Sequence, residues 1–260
     1  MINISKYKDI IITHGVCSGI GTKMNVYIYL VDGLLFDTGP SALQKDTREF
    51  FNRQVIEKVA LTHVHEDHSG LAHWLQKNKR VPIYLHPEAI KVAERKGKYR
   101  LYRRFIWGGR EPFDPQAMPE VIRTERYVFN AIDTPGHTEF HHVFHEKDQG
   151  WLITGDLYVG RKLLLAFYEE NMIQMIASLE KVLQLDFDTI LCSHAGVVPK
   201  GKEKMRQKLD FLTELQGKVR ELRAKGLTDG EIDKIIYPQK RAVKTISGGE
   251  WSSYNIIHTI

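Results

Sequence analysis

Between Thr62 and Gly70 the chain reads Thr-His-Val-His-Glu-Asp-His-Ser-Gly, which places four metal-ligand side chains, His63, His65, Asp67 and His68, within six residues. Imidazole nitrogen and carboxylate oxygen together suit zinc, iron or manganese. His63 and His65 close an apolar run over residues 58–62. In extended chain, residues i and i+2 project to the same side, so both imidazoles can reach one ion. Asp67 and His68 fall at the next turn, ahead of an amphipathic stretch over residues 70–78, and can reach a second ion.

Three further pieces follow in order. Asp133-Thr-Pro-Gly-His137-Thr138 succeeds a strand-like run over 127–132, an apolar run over 152–154 ends in Gly155-Asp156, and another over 189–193 ends in His194-Ala-Gly196. Each puts a ligand type at the end of a β-like run, where loops gather on a rigid scaffold. The neighbouring glycines permit tight turns and crowding around an ion.

This ordered set resembles the metallo-β-lactamase superfamily of dinuclear metal hydrolases, over nearly the whole chain from the Asp37-Thr38-Gly39 turn to His194 and into the C-terminal tail. The resemblance implies that His63, His65 and His137 hold one metal, that Asp67, His68 and His194 hold the other, and that Asp156 bridges both. Asp37 would orient the site from behind the ligands, as metal sites generally require. Ser193-His194-Ala195-Gly196 departs from the more usual Gly-His-Gly form but keeps the histidine. The implied cofactors are two divalent ions, with zinc expected first and iron or manganese as alternatives.

A second chemically suggestive stretch is basic. Lys91, Arg95, Lys96, Lys98, Arg100, Arg103, Arg104 and Arg110 are opposed only by Glu94, and Tyr99, Tyr102, Phe105 and Trp107 interleave with them. One reading is a lid that attracts an anionic substrate. The plainer reading, and the favoured one, is a helix whose aromatics pack down while its bases stay solvated.

The elements that must position these residues are legible in outline. Residues 10–13 and 24–31 read as strands, and Asp32-Gly33 is a two-residue hairpin turn into 34–36. Residues 14–21 read as a loop beside the site, a flexible substrate flap. Its glycines lack the GxxxxGK[ST] spacing of a phosphate loop. Residues 41–52 are expected to be helical with Ser41 as cap, 81–85 a strand, and Pro87 the opening of the basic helical region. Residues 108–119, with three prolines, cross irregularly between the halves. The stripe Met172, Met175, Ile176, Leu179, Val182, Leu183 is a helix's core face, a long charged helix covers 201–225, and Thr228-Asp-Gly-Glu231 is a capping box. No repeat of 20–50 residues appears. The expected fold class is α+β, a four-layer αββα sandwich of the metallo-β-lactamase type. It forms one domain over residues 1–260, with a basic helical insertion at about 87–119 and a helical C-terminal region at about 201–240. A parallel doubly wound sheet is disfavoured by the N-terminal hairpin.

Composition sets the outer limits. The hydrophobic fraction of 42% and charged fraction of 27% are those of an ordinary globular protein. No apolar run approaches the roughly 20 residues of a membrane span, and charge interrupts residues 1–9 too early for a secretory signal. Two cysteines, Cys17 and Cys192, give no disulfide framework, so a cytoplasmic location is expected. Of the 12 histidines, His14, His73, His86, His141, His142, His145 and His258 are read as structural or surface residues, with His141 and His142 the best placed to support the site. Cys192 is not expected to be a ligand, and Tyr158 could polarise a substrate carbonyl or simply pack.

Seven ligands imply catalysis. Two cations sharing a water lower its pKa from 15.7 toward ~7, and the bridging hydroxide would attack a carbonyl or phosphorus. Asp67 would orient it and pass a proton to the leaving group. The Thr-Pro-Gly-His-Thr form looks like the glyoxalase II and lactonase-like branch, so the expected reaction is hydrolysis of a small ester, thioester or lactone. A phosphodiesterase or ribonuclease is the first alternative, a mononuclear iron persulfide dioxygenase the second, and a binding protein with an unused site the third. The expected partner is a small molecule that the basic stretch allows to be anionic. Neither membrane nor nucleic acid is expected, and a homodimer is left open.

Overall fold

The computed structural model describes residues 1–19, 21–239 and 242–260. Ile20, in the stretch read as a flap, and Lys240, at the end of the C-terminal region, lie outside the described residues. The first sheet starts as a meander: β1 (Ile2–Tyr7), β2 (Ile10–Gly19), β3 (Thr22–Val31) and β4 (Leu34–Phe36) pair antiparallel in chain order. Asp32 and Gly33 have φ of 48° and 76°, the two positive values that a type I′ hairpin demands. The chain continues through α1 (Gln44–Arg53), β5 (Lys58–Ala60), α2 (Glu66–Ser69), α3 (Ala72–Lys79), β6 (Ile83–Leu85), α4 (Ile90–Ala93), α5 (Leu101–Trp107) and β7 (Gln116–Ala117). Strands β4 to β7 are parallel neighbours, which requires the intervening crossovers.

The second sheet is built from β8 (Val121–Arg123), β9 (Val128–Asp133), β10 (His142–Glu146), β11 (Trp151–Gly155), β13 (Thr189–Cys192) and β14 (Gly196–Val198), in the spatial order β14-β13-β11-β10-β9-β8. Between β11 and β13 lie a short strand, β12 (Ala166–Phe167), and α6 (Met172–Val182). After β14 come α7 (Gly201–Ala224), α8 (Asp229–Ile236), α9 (Ala242–Ile246), β15 (Trp251–Ser252) and α10 (Ser253–Thr259).

Alternation along the strands sorts the apolar residues into layers. Ile10, Ile12, Tyr29, Val31, Leu34 and Phe36 of the first sheet meet Phe129, Phe144, Trp151, Ile153 and Leu191 of the second, all buried. The opposite faces bury Ile28, Leu30 and Leu35 under Phe50 and Phe51 of α1 and Leu75 of α3, and Val143, Leu152 and Ile190 under Met175, Leu179 and Val182 of α6 and Leu212 of α7. The result is helix, sheet, sheet, helix, the α+β sandwich expected. Among the described residues no helix is long and apolar enough to cross a membrane.

Three sequence expectations are corrected. Residues 14–19 of the expected flap are strand rather than loop: β2 runs on to Gly19 and pairs with β3 as far as Gly19–Thr22, because Cys17 and Val26 bury against Tyr102, Ile106 and Trp107 of α5. Ser41 does not cap α1. It lies in a one-turn 3-10 helix (Ser41–Leu43), and its hydroxyl exchanges hydrogen bonds with the backbone of Gly109. The basic region is no continuous helix, since α4 and α5 are separate and short. The buried Arg110 guanidinium donates to the carbonyls of Val92, Ala93 and Arg95, an arrangement that ends α4 from outside. The C-terminal tail adds elements with no strong sequence signal, β15 pairing with β12 and α10 packing on α8. The capping box at Thr228 and Glu231 is present on both sides.

Candidate metal centre

Four strand ends converge on one place: β5 leads into Thr62-His63, β9 into the turn that carries His137, β11 into Gly155-Asp156, and β13 into His194. Gly155 has φ 47°, and a Cβ there would meet Thr62 at 2.7 Å and His141 Nε2 at 2.8 Å, so only glycine lets the chain turn so close. The structure brings together all seven side chains singled out in the sequence. His63, His65 and His137 form one group and Asp67, His68, Asp156 and His194 another, all buried.

In the second group His68 Nε2 lies 3.6 Å from Asp67 Oδ2 and 3.3 Å from Asp156 Oδ1. His194 Nε2 lies 3.3 and 3.2 Å from the same two oxygens. In the first, His65 Nδ1 and His137 Nε2 are 3.1 Å apart, and His137 Nε2 is 3.4 Å from Asp156 Oδ2. Tetrahedral ligands about 2.0–2.1 Å from a zinc ion stand about 3.3–3.4 Å from one another. Asp156 thus turns one oxygen to each group. His63 Nε2, His68 Nε2 and Asp156 Oδ1 are buried without a hydrogen-bond partner among the described residues. Such a set of orphaned polar atoms would be costly, and a divalent cation in each group would satisfy them.

The outward nitrogens are each held. The Asp37 carboxylate, at a left-handed φ of 59°, accepts from His68 Nδ1 at 2.7 Å, from Thr62 N at 2.8 Å and from the Thr62 hydroxyl. Thr62 Oγ1 in turn lies 3.0 Å from His63 Nδ1. His194 Nδ1 donates to the Asn25 carbonyl at 2.6 Å, and His65 Nε2 pairs with Glu169 Oε1 at 2.7 Å. Fixing the outer ring nitrogen leaves the inner one with its lone pair toward the centre. Burial, reinforced by the surrounding imidazoles, pushes His63 well below its usual pKa. Asp156 is held well below the carboxylate range, against its burial, by His194, His68 and His137. Burial alone would raise Asp67, but His68 and His194 hold it low. Burial would lower His68 and His194, but the Asp67 and Asp156 carboxylates raise both well above the usual imidazole range, so a cation entering here would displace their protons.

Of the two histidines expected to support the site, one does so. His141 Nε2 accepts from the Asp156 amide at 3.2 Å and its Nδ1 contacts Thr134 Oγ1 at 2.9 Å, whereas His142 pairs with Asp133 at 2.9 Å and with nothing in the centre. Cys192 Sγ accepts from the amides of His194 and Ala195 and shapes that turn. Tyr158 is a packed core residue.

Arg103 departs from both readings of the basic stretch. It is neither lid nor solvated face: it is 4% exposed and grips Glu66 with two hydrogen bonds of 2.6 and 2.7 Å. Its guanidinium also lies 4.5 Å from the Phe167 ring centre, 3.5 Å from Glu250 and 3.8 Å from Glu169. Against burial that would lower it, Glu66 raises the Arg103 pKa further. Burial would raise Glu169, but His65 and Arg103 hold it down to about 2. Leu101, Arg104 and Phe105 are the exposed members of α5. Sequence reasoning missed Glu169 because Glu169-Glu170 ahead of α6 looks like ordinary acidic decoration of a helix start, and it missed the Glu66–Arg103 pair because nothing local signals it.

Residues 21–194 match the family described as Metallo-beta-lactamase superfamily. An uncharacterized protein of Aquifex aeolicus is 29% identical over 190 residues, covering 66% of this chain and 83% of that one. The lactamase-like protein aptB of Emericella nidulans is 27% identical over 179 residues, 67% of this chain but only 51% of that protein. Among solved structures, a beta-lactamase domain protein from Burkholderia ambifaria superposes with a TM-score of 0.72 at 16% identity, covering 98% of this chain and 86% of its own, a likeness of fold alone. With two thirds of the sequence inside the family match and the same sandwich beneath it, the chain belongs to the metallo-beta-lactamase superfamily.

Proposed function

We propose that the protein is a dinuclear metal-dependent hydrolase acting on a small ester, thioester or lactone. The observation that carries this reading is Asp156, whose two oxygens each face a separate ligand group at coordination spacing. His63, His65 and His137 would hold one ion and Asp67, His68 and His194 the other, with Asp156 shared. Divalent ions held there supply Lewis acidity and a water of lowered pKa. The superfamily's members are generally metal-dependent hydrolases, and the Thr134-Pro-Gly-His-Thr138 turn supports the glyoxalase II and lactonase-like branch.

The chain's own residues supply the remainder. Asp67 Oδ2 faces His68 and His194, while Oδ1 makes no hydrogen bond among the described residues. Held anionic, this carboxylate can take the proton of an attacking water and return it to the leaving oxygen or sulfur. Asp37 and Thr62 fix the His63 and His68 rings, so no reorganisation is needed during reaction. Phe167, 6.0 Å from the His65 ring centre, forms an apolar wall. A cavity of about 730 Å³ bordered by His65 and Glu169 has the size of a small-molecule site.

The zinc-loaded protein, given a panel of S-acyl thioesters, lactones, aryl esters and a phosphodiester, is expected to turn over the carbonyl substrates. Turnover of the phosphodiester alone would replace this reading with a phosphodiesterase, and oxygen uptake with a persulfide by an iron-loaded form would replace it with a dioxygenase.

A further inference from the structure

The cavity beside His65 has an uneven distribution of charge. Six cations and three carboxylates line it: Lys91, Arg95, Lys96, Lys98, Arg103 and Arg110 against Glu139, Glu169 and Glu250. Most are already committed. Arg103 holds Glu66, Arg110 holds backbone carbonyls, and Lys96 pairs with Glu111 at 2.9 Å. Glu169 is bound to His65, and Glu250 to Arg100 at 3.0 Å. Lys91, Arg95 and Lys98 make no ion pair or side-chain hydrogen bond among the described residues, and of the carboxylates only Glu139 is equally free. Three uncommitted cations therefore face one uncommitted anion across a cavity whose other wall is His65.

The backbone that carries these exposed cations is held in place. The Arg110 guanidinium donates to the carbonyls of Val92, Ala93 and Arg95 at 2.9, 2.9 and 3.0 Å, and Gly97 N donates to the Arg110 carbonyl at 3.0 Å. A buried arginine thus spends its hydrogen bonds fixing the backbone that presents Lys91, Arg95 and Lys98. Val64, Phe140 and Tyr168 add apolar lining to the same cavity.

We propose that this cavity receives an anionic end of the substrate, with Lys91, Arg95 and Lys98 as its counter-charges and the apolar lining holding the carbon chain that joins the anion to the scissile carbonyl. The proposal rests on the hydrolase reading and names the substrate class for it: an ester or thioester that carries a negative charge.

Matched probes test it on either side of the scissile bond. p-Nitrophenyl hemiglutarate and p-nitrophenyl valerate differ by one charge on the acyl side, and the acetates of 4-hydroxybenzoate and p-cresol differ by one on the leaving side. In at least one pair, the kcat/KM ratio of charged to neutral member should be about tenfold higher in the parent than in Lys91→Gln/Arg95→Gln/Lys98→Gln, roughly the combined effect of three partly exposed charges. That difference should shrink with added salt, which screens such charges within ~8 Å at physiological strength. Calorimetric binding of the glutaric monoamide anion to the zinc-loaded parent and variant reads the cavity without turnover and should show a similar loss. Equal ratios and equal affinities in parent and variant would overturn the assignment while leaving the hydrolase reading intact. No turnover of any of the four esters, with the difference in affinity retained, would do the reverse.

Discussion

Asp67→Asn is expected to lower kcat by about 10²-fold or more, within the usual range for a general acid–base group, with the fold preserved. The substitution keeps the shape of the side chain and removes its charge and basicity. Asp67 sits at the start of α2, 7% exposed, its Oδ2 within 3.6 Å of His68 Nε2 and 3.3 Å of His194 Nε2. Some loss of metal affinity is part of the expected result, so the measurement is kcat at saturating zinc with bound metal assayed in the same sample. A variant that holds its full metal complement and turns over at the parent rate would show that the proton travels by another route.

Arg103→Met is expected to cost about 3–5 kcal/mol of stability, the usual penalty for stranding one member of a buried ion pair. Glu66 is 0% exposed and both its oxygens bond to the Arg103 guanidinium, so removing the arginine leaves a carboxylate with no counter-charge. Glu66→Gln combined with Arg103→Met should recover much of the loss, because the pair is then replaced by groups without net charge. Chemical denaturation of parent, single and double variants measures both. A single variant as stable as the parent would mean that the pair does not hold α5 to the centre. Arg104→Gln, on the exposed side of the same helix, should change stability by no more than about 0.5 kcal/mol.

The contrast between these two neighbouring arginines shows where sequence reading stops. Periodicity and strand ends are local properties, and they were enough to locate β4, β5, β9, β11 and β13 and the ligand-type residues that follow them. The alternation in residues 28–36 likewise separates the inter-sheet face from the helix face. Which partner a side chain meets across the fold is not local. Arg103 lies 37 positions from Glu66, and Glu169 lies 104 from His65, so only the completed topology brings them together. The stretch 14–21 misleads for a related reason. Its glycines and serine look like a loop until the packing of Cys17 and Val26 on α5 is known, and that packing outweighs their weak β propensity.

The two-metal centre is the claim on which the mechanism and the substrate proposal both depend, and metal stoichiometry tests it most directly. The purified chain, saturated with zinc, freed of excess by gel filtration and analysed for metal, should hold two ions per chain, and His65→Ala should lose at least one of them. One ion per chain at saturation, whether with zinc, iron or manganese, would contradict the dinuclear account.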